Sequence, residues 1–278
     1  MRITALIENR AQGTLLSEHG LAVHIEYNGK QYLLDTGASE QFLQNAERLG
    51  IDLAQVDAAF LSHNHNDHSG GFAGFFAKNG KAKVYLQSKA KERCCTDTEY
   101  EGEYIGIPEG VLDTFCDRFV FVDGDKRVFD GVWLVSHKTE GLAERGKRAH
   151  LFRETEKGIV PDDFAHEQSL VFEAETGLVI LNSCCHAGVD TVIREVKDAF
   201  PGREVLAVIG GFHLMGIDGP DSMADEPEEL RLLAQRLISL GVKELYTGHC
   251  TGGPAYEVLK RELGEKLHYF STGTTVEW

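Results

Sequence analysis

Four residues with metal-binding side chains fall within six positions of this chain: His63, His65, Asp67 and His68, in the run His63-Asn64-His65-Asn66-Asp67-His68. Imidazole nitrogen and carboxylate oxygen are the donors that zinc and related divalent ions take. In a tight loop His63 and His65 can face one ion while Asp67 and His68 face a second. The run sits directly after the apolar segment DAAFLS and before Ser69-Gly70-Gly71. A second point of interest is His213, at the end of the apolar segment VLAVIGGF, where Gly210 and Gly211 permit close backbone approach. It reads as an acid, a substrate contact, a ligand or a packing residue. The amides of Thr251-Gly252-Gly253, opening a helix, can cradle an anionic group.

These residues need elements to hold them. ITALIEN is apolar and β-branched; LAVHIEY and QYLLDTG follow, with Asn28-Gly29 between them as a hairpin turn. EQFLQNAERLG has helical spacing and ends at Gly50. VDAAFLSH is a buried strand running into the histidine cluster, GGFAGFFAKNG a short helix and KVYLQS another strand. Residues 90–117 are polar with weak periodicity and read as an insertion near the site. The second half then opens with RFVFVDG and VWLVSHK as strands. SLVFEAE and GLVILNS are adjacent strands joined at Thr176-Gly177, VDTVIREVKDAF is an amphipathic helix, and EVLAVIGGFHL is a strand ending in glycines and His213. EPEELRLLAQRLISLG is a helix with an acidic start and Gly241 at its end. KELYTGH, GPAYEVLKREL and KLHYFSTG complete the chain as strand, helix and strand. Two similar halves, each with strands first and helices afterwards, fit a single α/β domain over 1–278, two sheets face to face with helices outside.

Composition bounds the partners. The 278 residues carry a formal net charge of -16, with 42% hydrophobic and 26% charged residues. So acidic a surface repels phosphate backbones and anionic headgroups, which argues against nucleic-acid binding and membrane docking. A small anionic substrate remains compatible where bound cations reverse the local field. The start, MRITALIENRAQG, reads as a first strand rather than a signal peptide. The cysteines Cys94, Cys95, Cys116, Cys184, Cys185 and Cys250 include no C-x-x-C pair, which suits a reducing cytoplasm.

LSHNHNDHSGG matches the H-x-H-x-D-H signature of the metallo-β-lactamase superfamily, which the chain resembles. The resemblance implies a four-layer αββα sandwich. It implies that His63 and His65 bind one metal, Asp67 and His68 another, and that Asp35, in Leu34-Asp35-Thr36-Gly37, supports the loop. It also implies a histidine, a bridging aspartate and a final histidine from the second half. Here the chain departs from the pattern: GLVILNS ends in Cys184-Cys185-His186. His186 is the preferred ligand there, with the Cys184 thiolate as alternative, and a buried structural cysteine pair as the plain reading. His249, before Cys250, is the final ligand. His166 stands 18 residues before Cys184, near the superfamily's interval for its middle histidine, and is a secondary candidate. His19, His24, His137, His150 and His268 lack supporting context.

SLVFEAETGLVILNSCCHAGV, VIGGFHLMG and YTGHCTGGPA resemble the subfamily of dihydropterin-6-methyl ribofuranosylaminobenzene 5'-phosphate synthases, linked to the methanopterin pathway. Three functions follow. The first is a hydrolase with two divalent ions, zinc ahead of manganese or iron, attacking an ester, phosphoester or lactone through a metal-bound hydroxide. Asp67 orients that hydroxide and His213 protonates the leaving group. The second, implied by the subfamily, is a transferase joining a dihydropterin diphosphate to a ribofuranosylaminobenzene phosphate, with Tyr100, Tyr104 and Phe115 as a ring pocket or as core. The third is a metal-dependent binding or redox protein.

Overall fold

The computed structural model describes residues 1–96, 103–156 and 158–278. They form two compact units. The first is Met1–Asp123, Ala143–Glu167 and Ser271–Trp278, and the second is Gly124–Leu142 and Gln168–Phe270.

In the first unit, β1 (Arg2–Ile7), β2 (Ala22–Tyr27) and β3 (Lys30–Leu34) run antiparallel. Asn28 and Gly29 take φ of 49° and 72°. That is the two-residue turn whose twist matches its strands, as the sequence predicts. β4 (Ala58–Phe60), β5 (Lys83–Gln87) and β8 (Phe119–Val122) add in parallel, and β18 (Thr275–Glu277) pairs with β1 at the other edge. The order is β18-β1-β2-β3-β4-β5-β8. β8 corrects the sequence reading, which gave RFVFVDG to the second half. Phe119 meets Phe72 and Phe76 edge-on, with ring centroids 5.7 and 5.6 Å apart, and this phenylalanine cluster draws the strand onto β5.

Helices α1 (Gln41–Arg48) and α3 (Phe72–Lys78) supply Phe42, Ala46, Phe72, Phe75 and Phe76 to one buried cluster with Leu33, Ala59 and Val84 of the sheet. Each of these phenylalanine, leucine and valine side chains contributes roughly 1.5–3 kcal/mol on burial. Between these helices lies the short α2 (Asn66–Ser69); α4 (Val111–Thr114) and α5 (Ala143–Arg148) are also brief. A further sheet, not expected from the sequence, has the order β12-β11-β6-β7: β6 (Arg93–Thr96), β7 (Glu103–Tyr104), β11 (Leu151–Thr155) and β12 (Gly158–Pro161). Its strands are short and come from distant stretches of chain, so no local pattern announces them. The expected insertion at 90–117 supplies β6, β7 and α4, although Tyr100 lies outside the described residues.

In the second unit β9 (Lys126–Phe129), β10 (Val132–Ser136), β13 (Gln168–Ala174) and β14 (Gly177–Leu181) are antiparallel. β15 (Val205–Ile209), β16 (Glu244–Thr247) and β17 (Leu267–Tyr269) continue from β14 in parallel. Residues of β14 and β15 are buried as an apolar run, the mark of strands covered on both faces. Val192, Ile193 and Val196 of α6 (Val189–Ala199), Leu230, Leu233 and Leu237 of α7 (Pro227–Ser239), and Leu259 of α8 (Gly253–Leu263) pack on Leu178, Ile180, Val208 and Leu245. Among the described residues no helix is long and apolar enough to cross a membrane.

Candidate metal centre

The histidine cluster of the first unit follows β4, and Asp35 follows β3, so both leave the same ends of two parallel strands. Asp35 is fully buried, with φ of 60°. Its carboxylate accepts from Ser62 N at 2.7 Å, Ser62 Oγ at 2.7 Å and His68 Nδ1 at 2.8 Å. Since the Ser62 hydroxyl gives its one proton to Asp35, the contact at 2.8 Å between Ser62 Oγ and His63 Nδ1 is donated by the ring. The Nδ1 protons of His63 and His68 are therefore both committed, which leaves Nε2 as the nitrogen of each ring that a metal would take. Outer hydrogen bonds of this kind orient histidine ligands for a metal.

The rings of His63 and His65 have centroids 4.6 Å apart, and those of His63 and His68 4.3 Å. Asp67 Oδ2 lies 3.4 Å from His68 Nε2. Burial lowers an imidazole pKa, but the negative charges of Asp67 and Asp35 outweigh it and push His68 up to about 10. The local field is one that favours positive charge. A Cβ on Gly70 would lie 2.1 Å from Ala38 O, and one on Gly71 2.5 Å from Thr36 O, so the glycines after the cluster let the loop press against the strand end. His19, which the sequence left without a role, brings Nε2 to 3.4 Å from Asp67 Oδ2. Leu21 N donates to Asp67 O at 3.3 Å, so the fold-back that carries His19 has no local signature.

His166 is buried beside the same loop. Asn64 N donates to its Nδ1 at 3.1 Å, and its Nε2 donates to Asp162 at 2.8 Å, so both ring nitrogens are engaged. Burial would raise the Asp162 carboxyl, but His166 holds it well below the usual range. Donor atoms of His65, Cys94, Asp162 and His166 lie within 4.8 Å of one another. The insertion braces the loop from behind: Asn66 N donates to Ile105 O, Ile107 N to Asn64 Oδ1, and Asn64 Nδ2 to Glu92 O. Tyr104 donates its hydroxyl proton to Ile107 O beneath Arg93, and Phe115 packs against Phe76 with the rings tilted, a packing role.

In the second unit the remaining candidates gather where β14, β15 and β16 end. Cys185 N donates to Asn182 Oδ1 at 2.8 Å, which turns the chain sharply after β14. A Cβ on Gly210 would lie 1.8 Å from Asn182 O, so glycine lets these strand ends approach. Cys185, His213 and His249 all have left-handed φ, 51°, 50° and 48°. Such strain clusters at functional sites. The rings of His186 and His213 are 4.4 Å apart, and donor atoms of Cys184, His249 and Cys250 lie within 4.8 Å of one another. Burial raises the Cys250 thiol, but Cys184, His249 and His213 outweigh it and hold the thiol well below its ordinary value. The anion cradle expected at Thr251-Gly252-Gly253 is corrected. Thr251 N donates to Gly248 O and Gly253 N to Pro220 O, so two of its three amides are already used. His137 is bonded to Glu195, His24 to Gln31, and His268 stacks on Tyr246.

A family model of the metallo-β-lactamase superfamily matches residues 18–249. The chain belongs to the metallo-β-lactamase superfamily. It is 27% identical, over 94% of its length and 90% of the relative's, to a 7,8-dihydropterin-6-methyl-4-(β-D-ribofuranosyl)-aminobenzene-5'-phosphate synthase of Methanocaldococcus jannaschii. A solved metal-dependent hydrolase of the β-lactamase superfamily matches with a TM-score of 0.83 and 29% identity, over 100% of this chain and 99% of that one. A metallo-β-lactamase fold protein from Bacillus subtilis matches with 0.59 and 12%, over 100% and 98%, a likeness of fold alone. The chain thus has the α/β fold of metallo-β-lactamases. That superfamily binds divalent metals, and the donors here fit them: imidazoles with committed Nδ1 protons, a carboxylate beside them, and buried thiols.

Proposed function

We propose that this metallo-β-lactamase relative is a dinuclear hydrolase acting on an ester, phosphoester or lactone of a small anionic molecule. The reading assigns two divalent ions, zinc first, to His63, His65, Asp67, His68, His186 and His249, and treats 1–278 as one working domain. The observation that carries it is the hydrogen-bond relay from Asp35 through Ser62 to His63 and directly to His68. Outer bonds that commit the Nδ1 atoms of two histidines at once are the arrangement that metal-ligating histidines use. Bound divalent ions supply an acidified water and offset charge on the leaving oxygen. Asp67 orients the attacking water by accepting a hydrogen bond from it. His213 gives a proton to the leaving oxygen. Six cysteines without a disulfide support a reducing, cytoplasmic setting.

The test is metal analysis of the full chain purified without added metal, followed by a panel of phosphoesters, esters and lactones. Replacing His63 and His65 together by Ala should remove the metal and all turnover while the circular dichroism spectrum stays native. Full metal content in that variant overturns the assignment. A second reading, a transferase joining a dihydropterin diphosphate to a ribofuranosylaminobenzene phosphate, draws support from the Methanocaldococcus jannaschii relative. Diphosphate release from that substrate pair, with no hydrolysis of the panel, decides for it.

A further inference from the structure

The second unit carries sulfur at the strand ends where its candidate ligands gather. Sγ of Cys184, a ring nitrogen of His249 and Sγ of Cys250 lie within 4.8 Å of one another, at exposures of only 3%, 3% and 5%. Ordinary apolar burial accounts for Cys185, which belongs to the hydrophobic cluster under α6 and α7; Cys184 and Cys250 are not members of it. The backbone is shaped around these two sulfurs. A Cβ on Gly211 would lie 2.4 Å from Cys250 Sγ, so glycine leaves the space that the sulfur fills. Leu214 N and Met215 N both donate to Cys250 O at 3.0 Å, which locks that residue in place. The residue after Cys184 and the residue before Cys250 are each in the left-handed region, Cys185 at 51° and His249 at 48°. Such conformations cost about 1–3 kcal/mol apiece and persist where surrounding structure demands them.

We propose that Cys184 and Cys250, together with His249, form a thiolate-bearing metal position that selects thiophilic divalent ions such as zinc, cobalt or cadmium over magnesium and manganese. The proposal rests on the reading of this chain as metal-dependent and adds the chemical class of the ion. Soft sulfur donors favour thiophilic ions, whereas hard ions take carboxylate, carbonyl and water. Tetrahedral Zn–S bonds of about 2.3 Å place two sulfurs about 3.8 Å apart on one ion. Donor atoms within 4.8 Å of one another are near that spacing. Coordination holds both sulfurs as thiolates, any thiol proton still present leaving to solvent, and no electron changes hands.

Cobalt(II) tests this on the full chain after its metals are removed with a chelator. The loaded wild-type protein should develop a thiolate-to-cobalt charge-transfer band in the near ultraviolet. Cys184→Ser and Cys250→Ser should each lower the band by about half, while His63→Ala should keep it. A measurement on the unmutated chain stands beside these variants. Cobalt should protect Cys184 and Cys250 together from alkylation, read by mass spectrometry, while exposed Cys116 reacts equally in both states. Stoichiometric cobalt binding without the band, or a full band in Cys250→Ser, overturns the thiolate position and leaves the metal-dependent reading standing. Failure to bind cobalt at all overturns both.

Discussion

Replacing Asp35 with asparagine probes the relay that sets the histidine tautomers. The variant keeps the shape of a fully buried side chain. One amide oxygen can still accept from Ser62 N. The amide NH2 then faces two groups that now donate to the carboxylate, the Ser62 hydroxyl and His68 Nδ1, at 2.7 and 2.8 Å. His68 relieves the clash by moving its proton to Nε2, and the lone pair meant for a metal is lost. Loss of such an outer partner lowers metal affinity by roughly 10–100-fold, about 1.4–2.8 kcal/mol. The metal-free fold should lose roughly 2–5 kcal/mol as well, because buried charge-assisted hydrogen bonds become mismatched. Competition against a fluorescent chelator gives the affinity, and calorimetry on stripped protein gives the stability. Nitrogen NMR of the His68 ring reads the tautomer directly. Native metal affinity in a folded Asp35→Asn chain refutes the relay, whatever happens to stability.

Asp67→Asn should lower kcat far more than it raises KM, because a group that orients the attacking water acts in the transition state; steady-state kinetics on any turned-over panel member will tell. Glu195 accepts from His137 Nδ1, Lys138 N and Thr139 N. Burial would raise its pKa, but His137 and these amides hold it below the usual value. Its contribution is therefore present at neutral pH and lost as pH falls through the folded pKa. Urea titrations from about pH 5 downward should show a steeper loss in wild type than in Glu195→Gln, and parallel curves would contradict the assignment. Gly210→Ala should destabilise the second unit by roughly 1–3 kcal/mol or prevent folding, since the new methyl meets Asn182 O at a φ of 142°; an unchanged melting temperature would show that the strand ends can part.

Features encoded locally were legible in the sequence. Asn28-Gly29 announces its hairpin, the periodicity of EPEELRLLAQRLISLG its helix, and the histidine run its donor chemistry. Asp35 was legible through the resemblance of Leu34-Asp35-Thr36-Gly37 to the superfamily's strand-end motif, which implies the support of the loop that its hydrogen bonds provide. Features decided by tertiary packing were not. β8 joins the first sheet through aromatic contacts with α3, and nothing within RFVFVDG says which sheet it will enter. β6 and β11 pair across a long separation with little hydrophobic alternation to mark either one. His19 depends on a fold-back fixed by main-chain bonds, and the engaged amides of Thr251 and Gly253 depend on acceptors that turn up only in three dimensions.

The bonds that brace the histidine loop end on main-chain groups of Glu92, Ile105 and Ile107. A peptide carbonyl or amide is the same whichever residue bears it, Pro apart where the amide is needed. The side chain at 105 can therefore be exchanged without loosening Asn64 or Asn66, whereas Ile107 belongs to the core and Glu92 also pairs with Arg153. The placement of the donors is thereby separated in heredity from the identity of the side chain beside them. Mutation can redraw what the neighbouring segment touches while the donors keep their positions, so the scaffold is free to change clientele without relearning its chemistry. A laboratory library randomised at 105 should retain metal content in most members, and so offers a practical starting point for directing this fold to new substrates.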